Sequence, residues 1–181
     1  LWVRDGVESA VGIHLSEAPS IIVNGKSDGS AVGDAATTVM APLLGAALHT
    51  APKRGLVIGL GTGESAGWLA QVQSIESVDV VELEPVVLDV ARLCAPYSYD
   101  VLGNPKVHVY IGDGREFVMA GRETYDVIMS EPSNPYRAGV ASLFSQDFYR
   151  YLAPRLTDRG VFVQWLQGYE TDARTMRTVV A

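Results

Sequence analysis

The sequence predicts an α/β fold built on a parallel sheet, and three features of the chain carry that expectation. From Leu56 onward, short apolar runs rich in β-branched residues alternate with segments of helical length. The runs are near-continuously apolar, as strands covered on both faces must be. Polar and glycine-rich turns gather at their carboxyl ends, where sheets of this kind bind their ligands.

Residues 1–33 form a separate small unit ahead of the main domain, 34–181. Their β-like runs "VESAVGIHL" and "SIIVNG" flank polar punctuation, and Asn24-Gly25 is a hairpin signal. A β-hairpin unit is therefore expected. Asp34 is placed to N-cap a helix through "AATTVMAPLLGAALH", which Pro42 should kink. Strands are expected at 56–60, 77–83, 107–111, 125–130 and 160–166, with helices at 64–72, 85–94, 114–120 and 143–156, the last capped by Ser142. The alternation implies right-handed crossovers with helices on both faces. "SYDVLGNPK" reads as a surface loop. Leu1 starts inside a strand and Ala181 ends inside an amphipathic helix, so the chain is expected to be part of something longer, with its sheet incomplete at the C-terminus.

Composition narrows the partners. The 181 residues, 48% of them apolar, can bury a real core. A net charge of −7 argues against a nucleic-acid surface and permits a cationic substrate. The single cysteine, Cys94, rules out an internal disulfide and suits a reducing, cytoplasmic setting; its place at a helix end reads as packing. His14, His49 and His108 are too scattered for a metal site. No apolar run approaches the roughly 20 residues of a membrane helix, and no signal peptide is expected.

The chemistry concentrates in the turns after the first four of these strands. "LVIGLGTGES" sets Gly59, Gly61 and Gly63 between a strand and its helix, allowing a tight turn and close backbone approach to a ligand. Turn geometry alone would also explain them. Glu82 ends the next strand, where a carboxylate can accept from both hydroxyls of a ribose; the competing reading is an exposed acid near a helix N-terminus, which Glu84, just before Pro85, fits better. Asp113-Gly114 ends the third strand, where Asp113 can accept from an exocyclic amine such as that of adenine, or simply N-cap the next helix. Together they describe a nucleoside pocket. The spacing G-x-G-x-G lacks the phosphate-reading fingerprint of dinucleotide sites, which points to a sulfonium nucleoside such as S-adenosylmethionine.

"SEPSNPY" follows the fourth strand, nearest the ligand's reactive end. Pro132 and Pro135 stiffen this turn. Glu131 can hold a cation or take a proton from an attacking amine, Ser133 and Asn134 offer neutral hydrogen bonds, and Tyr136 offers an aromatic wall for a cation. A plain Asx/Pro connection is the bland alternative.

The pieces "IIVNGKSDGSAVGD", "GLVIGLGTGESAGWLA", "VDVVELEPVVLDVARLCAP", "VHVYIGDGREF", "YDVIMSEPSNPYRAGVASLFSQDFYR" and "GVFVQWLQ" together resemble the spermidine/spermine synthase (polyamine aminopropyltransferase) family, in particular its variant fused to bacterial multi-pass membrane segments. The resemblance implies a Rossmann-like, methyltransferase-type sheet behind a small N-terminal β unit. It implies transfer of an aminopropyl group from decarboxylated S-adenosylmethionine to a putrescine-like amine, with release of methylthioadenosine and no metal. Gly59, Gly61, Gly63 and Gly114 would line the donor, Glu82 its ribose and Asp113 its adenine. Glu131 would be the catalytic acid-base group, and Ser133, Asn134 and Tyr136 would meet the amine. A homodimer, and a membrane segment outside this chain that would tether a cytoplasmic domain, are further implications. The chain departs from the family's Asp-x-x-Asp after the fourth strand, with Glu131 and Asn134 at those places. Thr62 stands where the glycine loop usually carries an aspartate, and Thr38 where Gln or His is usual. Two rivals remain open: a methyltransferase using S-adenosylmethionine itself, and a ligand-sensing domain of a membrane protein.

Overall fold

A computed structural model of the chain describes residues 1–133, 139–166, 168 and 172–180. The N-terminal unit is a four-stranded antiparallel sheet rather than a single hairpin. Its strands β1 (Trp2–Asp5), β2 (Ala10–His14), β3 (Ser20–Val23) and β4 (Lys26–Ser30) pair in sequence order. Val23 pairs with Lys26 across a two-residue turn in which Asn24 and Gly25 have φ of 51° and 79°. Positive φ at both positions is the primed geometry that matches strand twist, so the Asn-Gly signal held. Val11, Ile13 and Ile21 bury into the core of the main domain, which fixes this sheet to it.

Helix α1 (Ala35–Leu48) runs on through Pro42. Asp34 does not cap it through its side chain. Its carboxylate instead turns back to accept from the Ser30 backbone N–H at 2.8 Å.

The main sheet contains β5 (Arg54–Ile58), β6 (Ser77–Glu82), β7 (Val107–Ile111), β8 (Tyr125–Ser130) and β9 (Leu156–Gln164), all parallel, in the order β7-β6-β5-β8-β9. Its crossovers carry α2 (Glu64–Gln71), α3 (Val87–Leu93), α4 (Gly114–Ala120) and α5 (Gln146–Leu152), and α6 (Ala173–Val180) follows β9. Strand residues alternate between two cores. Val57, Val78, Val80, Val127 and Met129 pack with Ala46 of α1, Leu69 of α2 and Val90 of α3. Leu56, Ile58, Val81 and Ile128 pack on the other face with Val118 of α4 and Phe148 of α5.

Four expectations need correction. The expected helix over 143–156 is interrupted: a 3-10 turn (Val140–Phe144) precedes α5, Ser145 rather than Ser142 caps it by accepting from Phe148 N–H at 3.2 Å, and a second 3-10 turn at Ala153–Arg155 ends it. Pro154 cannot continue the helix, so the strand starts early. β9 begins at Leu156, where the polar run "TDR" hides it and the Thr157 hydroxyl donates to Asp126 at 2.9 Å. β7, at the sheet edge, is partly exposed instead of covered on both faces, with Tyr110 and Ile111 open to solvent. Finally, "SYDVLGNPK" is not merely surface. Ser98 and Val101 are fully buried, and a Cβ on Gly67 would fall 1.9 Å from the Ser98 carbonyl oxygen, so this segment packs directly beneath α2.

Candidate active site

The order of the strands places β5 at the centre, with β6 on one side and β8 on the other. Connections diverge between β5 and β8, and sheets of this kind bind ligands outside the carboxyl ends of the strands at such a point. The ladder continues past the strand ends in an unbroken row. Gly112 N–H donates to Glu82 O, Gly59 N–H to Val81 O and Glu131 N–H to Ile58 O, each at 2.9 Å, and Trp165 N–H donates to Ser130 O at 2.8 Å. Residues 59, 82, 113 and 131 therefore share one edge of the sheet. Two-residue alternation also aims Glu82 and Glu131 to one side, because Val78, Val80, Val127 and Met129 before them all face the α1–α3 core.

Gly59, Gly61 and Gly63 all have positive φ, at 97°, 52° and 87°. Gly59 shows why glycine is required there. A Cβ would sit 2.8 Å from the backbone oxygen of Glu131, so the loop lies tight against the turn after β8. Gly61 is the opposite case, with no atom within 4 Å of its missing Cβ, and it faces open space that a ligand could enter. A Cβ on Gly114 would meet Ile58 Cγ2 at 2.6 Å, so this glycine lets α4 start close against β5.

Glu82 is buried, and its carboxylate is occupied with the loop itself. Oε2 accepts from Leu60 N–H at 2.8 Å and Oε1 from Glu84 N–H at 2.9 Å. Burial pushes its proton affinity up, against the pull of these donors. A carboxylate offers about four lone-pair positions, so capacity remains for a hydroxyl. Glu84 corrects its expected role as an exposed acid at a helix start. It is buried and accepts from Val7 N–H at 2.5 Å and Glu8 N–H at 2.7 Å, tying the turn between β1 and β2 to the end of β6. Asp113 is exposed and caps α4 by accepting from Arg115 N–H at 2.7 Å. The capping reading is thus met, and one carboxylate oxygen is left for another partner.

Glu131 extends toward α1 and α2. The Ser65 hydroxyl lies 2.5 Å from its Oε2. Desolvation pushes the Glu131 carboxyl up to about 7; the Ser65 hydroxyl opposes the rise, and the nearby carboxylates of Glu64 and Asp34 add to it. Glu64, also buried, accepts from Thr62 Oγ1 at 3.1 Å and Thr38 Oγ1 at 3.2 Å, and burial raises its proton affinity too. Ser133 donates to Asp28 on β4, which brings the N-terminal sheet to the rim of the site. Asn134 and Tyr136 lie outside the described residues.

Sequence reasoning missed Ser65, Asp28 and Asp34 as neighbours of this pocket. A signal for Ser65 existed, since a serine and a glutamate open an otherwise apolar helix. Asp28 carried none, because only the docking of the N-terminal sheet brings it near. Cys94 is buried with its thiol pushed up to about 11, chiefly by burial, which agrees with a packing role. Among the described residues, no group of three or more His, Cys, Asp or Glu is placed to hold a metal ion.

Residues 37–179 match the family model described as the spermine/spermidine synthase domain. A polyamine aminopropyltransferase of Alkaliphilus metalliredigens strain QYMF is 39% identical over 124 residues, which is 67% of this chain and 43% of that protein. Putrescine N-methyltransferase 2 of Nicotiana attenuata is 37% identical over 111 residues, 61% of this chain and 30% of that protein. This chain thus spans less than half the length of these relatives. Among solved structures, a spermidine synthase in complex with the transition-state analogue AdoDATO aligns with a TM-score of 0.79 at 21% identity, covering 90% of this chain and 57% of that one. Spermidine synthase from Thermotoga maritima gives 0.76 at 22% identity, covering 90% and 56%. The two agree on the Rossmann-like, methyltransferase-type fold.

Proposed function

The chain belongs to the spermine/spermidine synthase domain family, and we propose that it moves an aminopropyl group from decarboxylated S-adenosylmethionine to a putrescine-like amine. Methylthioadenosine is the second product. The observation that carries this reading is Glu131, a desolvated carboxyl whose proton affinity is pushed up to about 7 at the switch point of the sheet. A general base works best when its proton affinity lies near the working pH.

In the proposed step the amine nitrogen attacks the carbon next to the sulfonium sulfur. An N–C bond forms, the C–S bond breaks, and the sulfur keeps the electron pair as a thioether. The proton lost by the amine goes to Glu131. The donor's ribose would use the remaining accepting capacity of Glu82, its adenine the free oxygen of Asp113, and its chain the open space at Gly61. Glu64 and Asp34 add negative charge beside Glu131, which offsets the cost of desolvating a cationic amine. Ser133 and, by family likeness alone, Asn134 and Tyr136 would meet the amine.

A second reading, methyl transfer from S-adenosylmethionine, is favoured by one observation, the likeness to a putrescine N-methyltransferase. The test is incubation with putrescine and either donor, with product identified by mass. Aminopropylated amine supports the first reading, and methylated amine the second. In the same assay Glu131→Gln should lower turnover by about 10²–10⁴-fold, the usual span of acid–base catalysis, while leaving donor binding intact. Undiminished turnover in that variant would remove Glu131 from the step. Homodimer formation and attachment to a membrane segment outside this chain rest on family likeness; among the described residues no helix is long and apolar enough to cross a membrane.

A further inference from the structure

Pro42 lies inside α1, and a proline has no N–H to give the carbonyl four residues back. That carbonyl belongs to Thr38. The Ser65 hydroxyl stands 2.9 Å from it and 2.5 Å from Glu131 Oε2. A hydroxyl has one proton to donate, so Ser65 cannot serve both acceptors at once. Ser65 is only 4% exposed, which leaves little room for water to make up the difference.

We propose that Ser65 is a positioning residue whose one proton is contested between the Glu131 carboxylate and the carbonyl that Pro42 leaves unbonded, and that this contest sets how readily Glu131 takes up a proton. With Glu131 ionised, Ser65 turns to it and the Thr38 carbonyl loses its donor. With Glu131 protonated, its O–H donates to Ser65 Oγ, and Ser65 donates onward to Thr38. The second arrangement satisfies every group in the chain. The first leaves one part-buried carbonyl short of the donor it otherwise has, a state that carries a cost. The helix proline thereby favours the protonated form of the carboxyl. Glu64 on α2 and Asp34 at the start of α1, both acidic, press in the same direction, and Asp28 of β4 is held nearby through Ser133. This assignment rests on the proposed role of Glu131 for its functional meaning, but its physical content does not.

The test is the titration of the Glu131 carboxyl carbon by NMR in the chain labelled at glutamate, assigned with Glu131→Gln and recorded without donor or amine. Ser65→Ala takes a bond from both forms of the carboxyl, so it serves as the background in which the contest is absent: Pro42→Ala should move the midpoint only while the Ser65 hydroxyl is present. Pro42→Ala supplies the missing N–H to Thr38, frees the Ser65 proton for Glu131 and should move the midpoint downward. Ser65→Thr, which keeps the hydroxyl, should preserve that downward shift. A downward shift of up to about one pH unit that vanishes in the Ser65→Ala background supports the contest. A midpoint that Pro42→Ala leaves fixed or raises, or lowers equally without the hydroxyl, overturns it. If Ser65→Ala does not fold by circular dichroism, Pro42→Ala decides alone. Because no turnover is read, failure of the transferase reading would leave these shifts in place, and loss of the shifts would leave turnover to be judged on its own.

Discussion

A carboxyl held in a desolvated pocket makes the fold itself sensitive to pH. Glu131 has an ordinary value of 4.5 when the chain is unfolded and about 7 when folded. Between those values the folded chain binds more protons than the unfolded one, so stability falls as pH rises through that window. Above it the full penalty, about 3 kcal/mol for a shift of this size, is in place. Glu64 and Glu82, whose proton affinities are also raised by burial, act with the same sign. Glu131→Gln carries no charge to desolvate. Its advantage over wild type in urea unfolding should therefore be larger at about pH 8 than at about pH 4, where both side chains are neutral. Equal pH dependence in the two proteins would contradict the desolvation of the Glu131 carboxyl. The same group should set the acid limb of transferase activity, which is expected to rise with a midpoint near 7.

At the scale of elements, the glycine loop and the turn after β8 are one unit. Gly59→Ala would set a Cβ at positive φ and 2.8 Å from the Glu131 carbonyl. A loss of about 1–3 kcal/mol in urea unfolding is expected from the strain. A loss below a few tenths would show that the loop yields easily and does not fix Glu131. The clamp at Glu84 has a different signature. Glu84→Ala leaves the Val7 and Glu8 N–H groups without their acceptor. Hydrogen exchange should then quicken across β1 to β4 while β5, β6 and β8 stay protected, and uniform exchange would mean that the clamp does not hold the N-terminal sheet. The strands and helices around this unit were legible because apolar periodicity announces them. β9 was read four residues short, at 160 instead of Leu156, because its start is polar and held by a side-chain bond to Asp126. Ser142 and Ser145, three residues apart, give the same local capping signal, and only Ser145 meets the N–H of Phe148.

For the whole molecule, the strand order β7-β6-β5-β8-β9 brings distant turns together. Local patterns show that each strand ends in a polar turn, but not that the turns after β5 and β8 are neighbours. The N-terminal sheet illustrates the same limit: its strands were readable, whereas its contact with Ser133 through Asp28 depends on docking. The central claim is that these tips grip one nucleoside, with the ribose at Glu82, the adenine at Asp113 and the sulfur turned toward Glu131. A crystal structure grown with methylthioadenosine tests it most directly. The account predicts the ligand across the carboxyl ends of β5 and β6 with its sulfur facing Glu131; a ligand seated elsewhere, or reversed so that its base lies against Glu131, would contradict it.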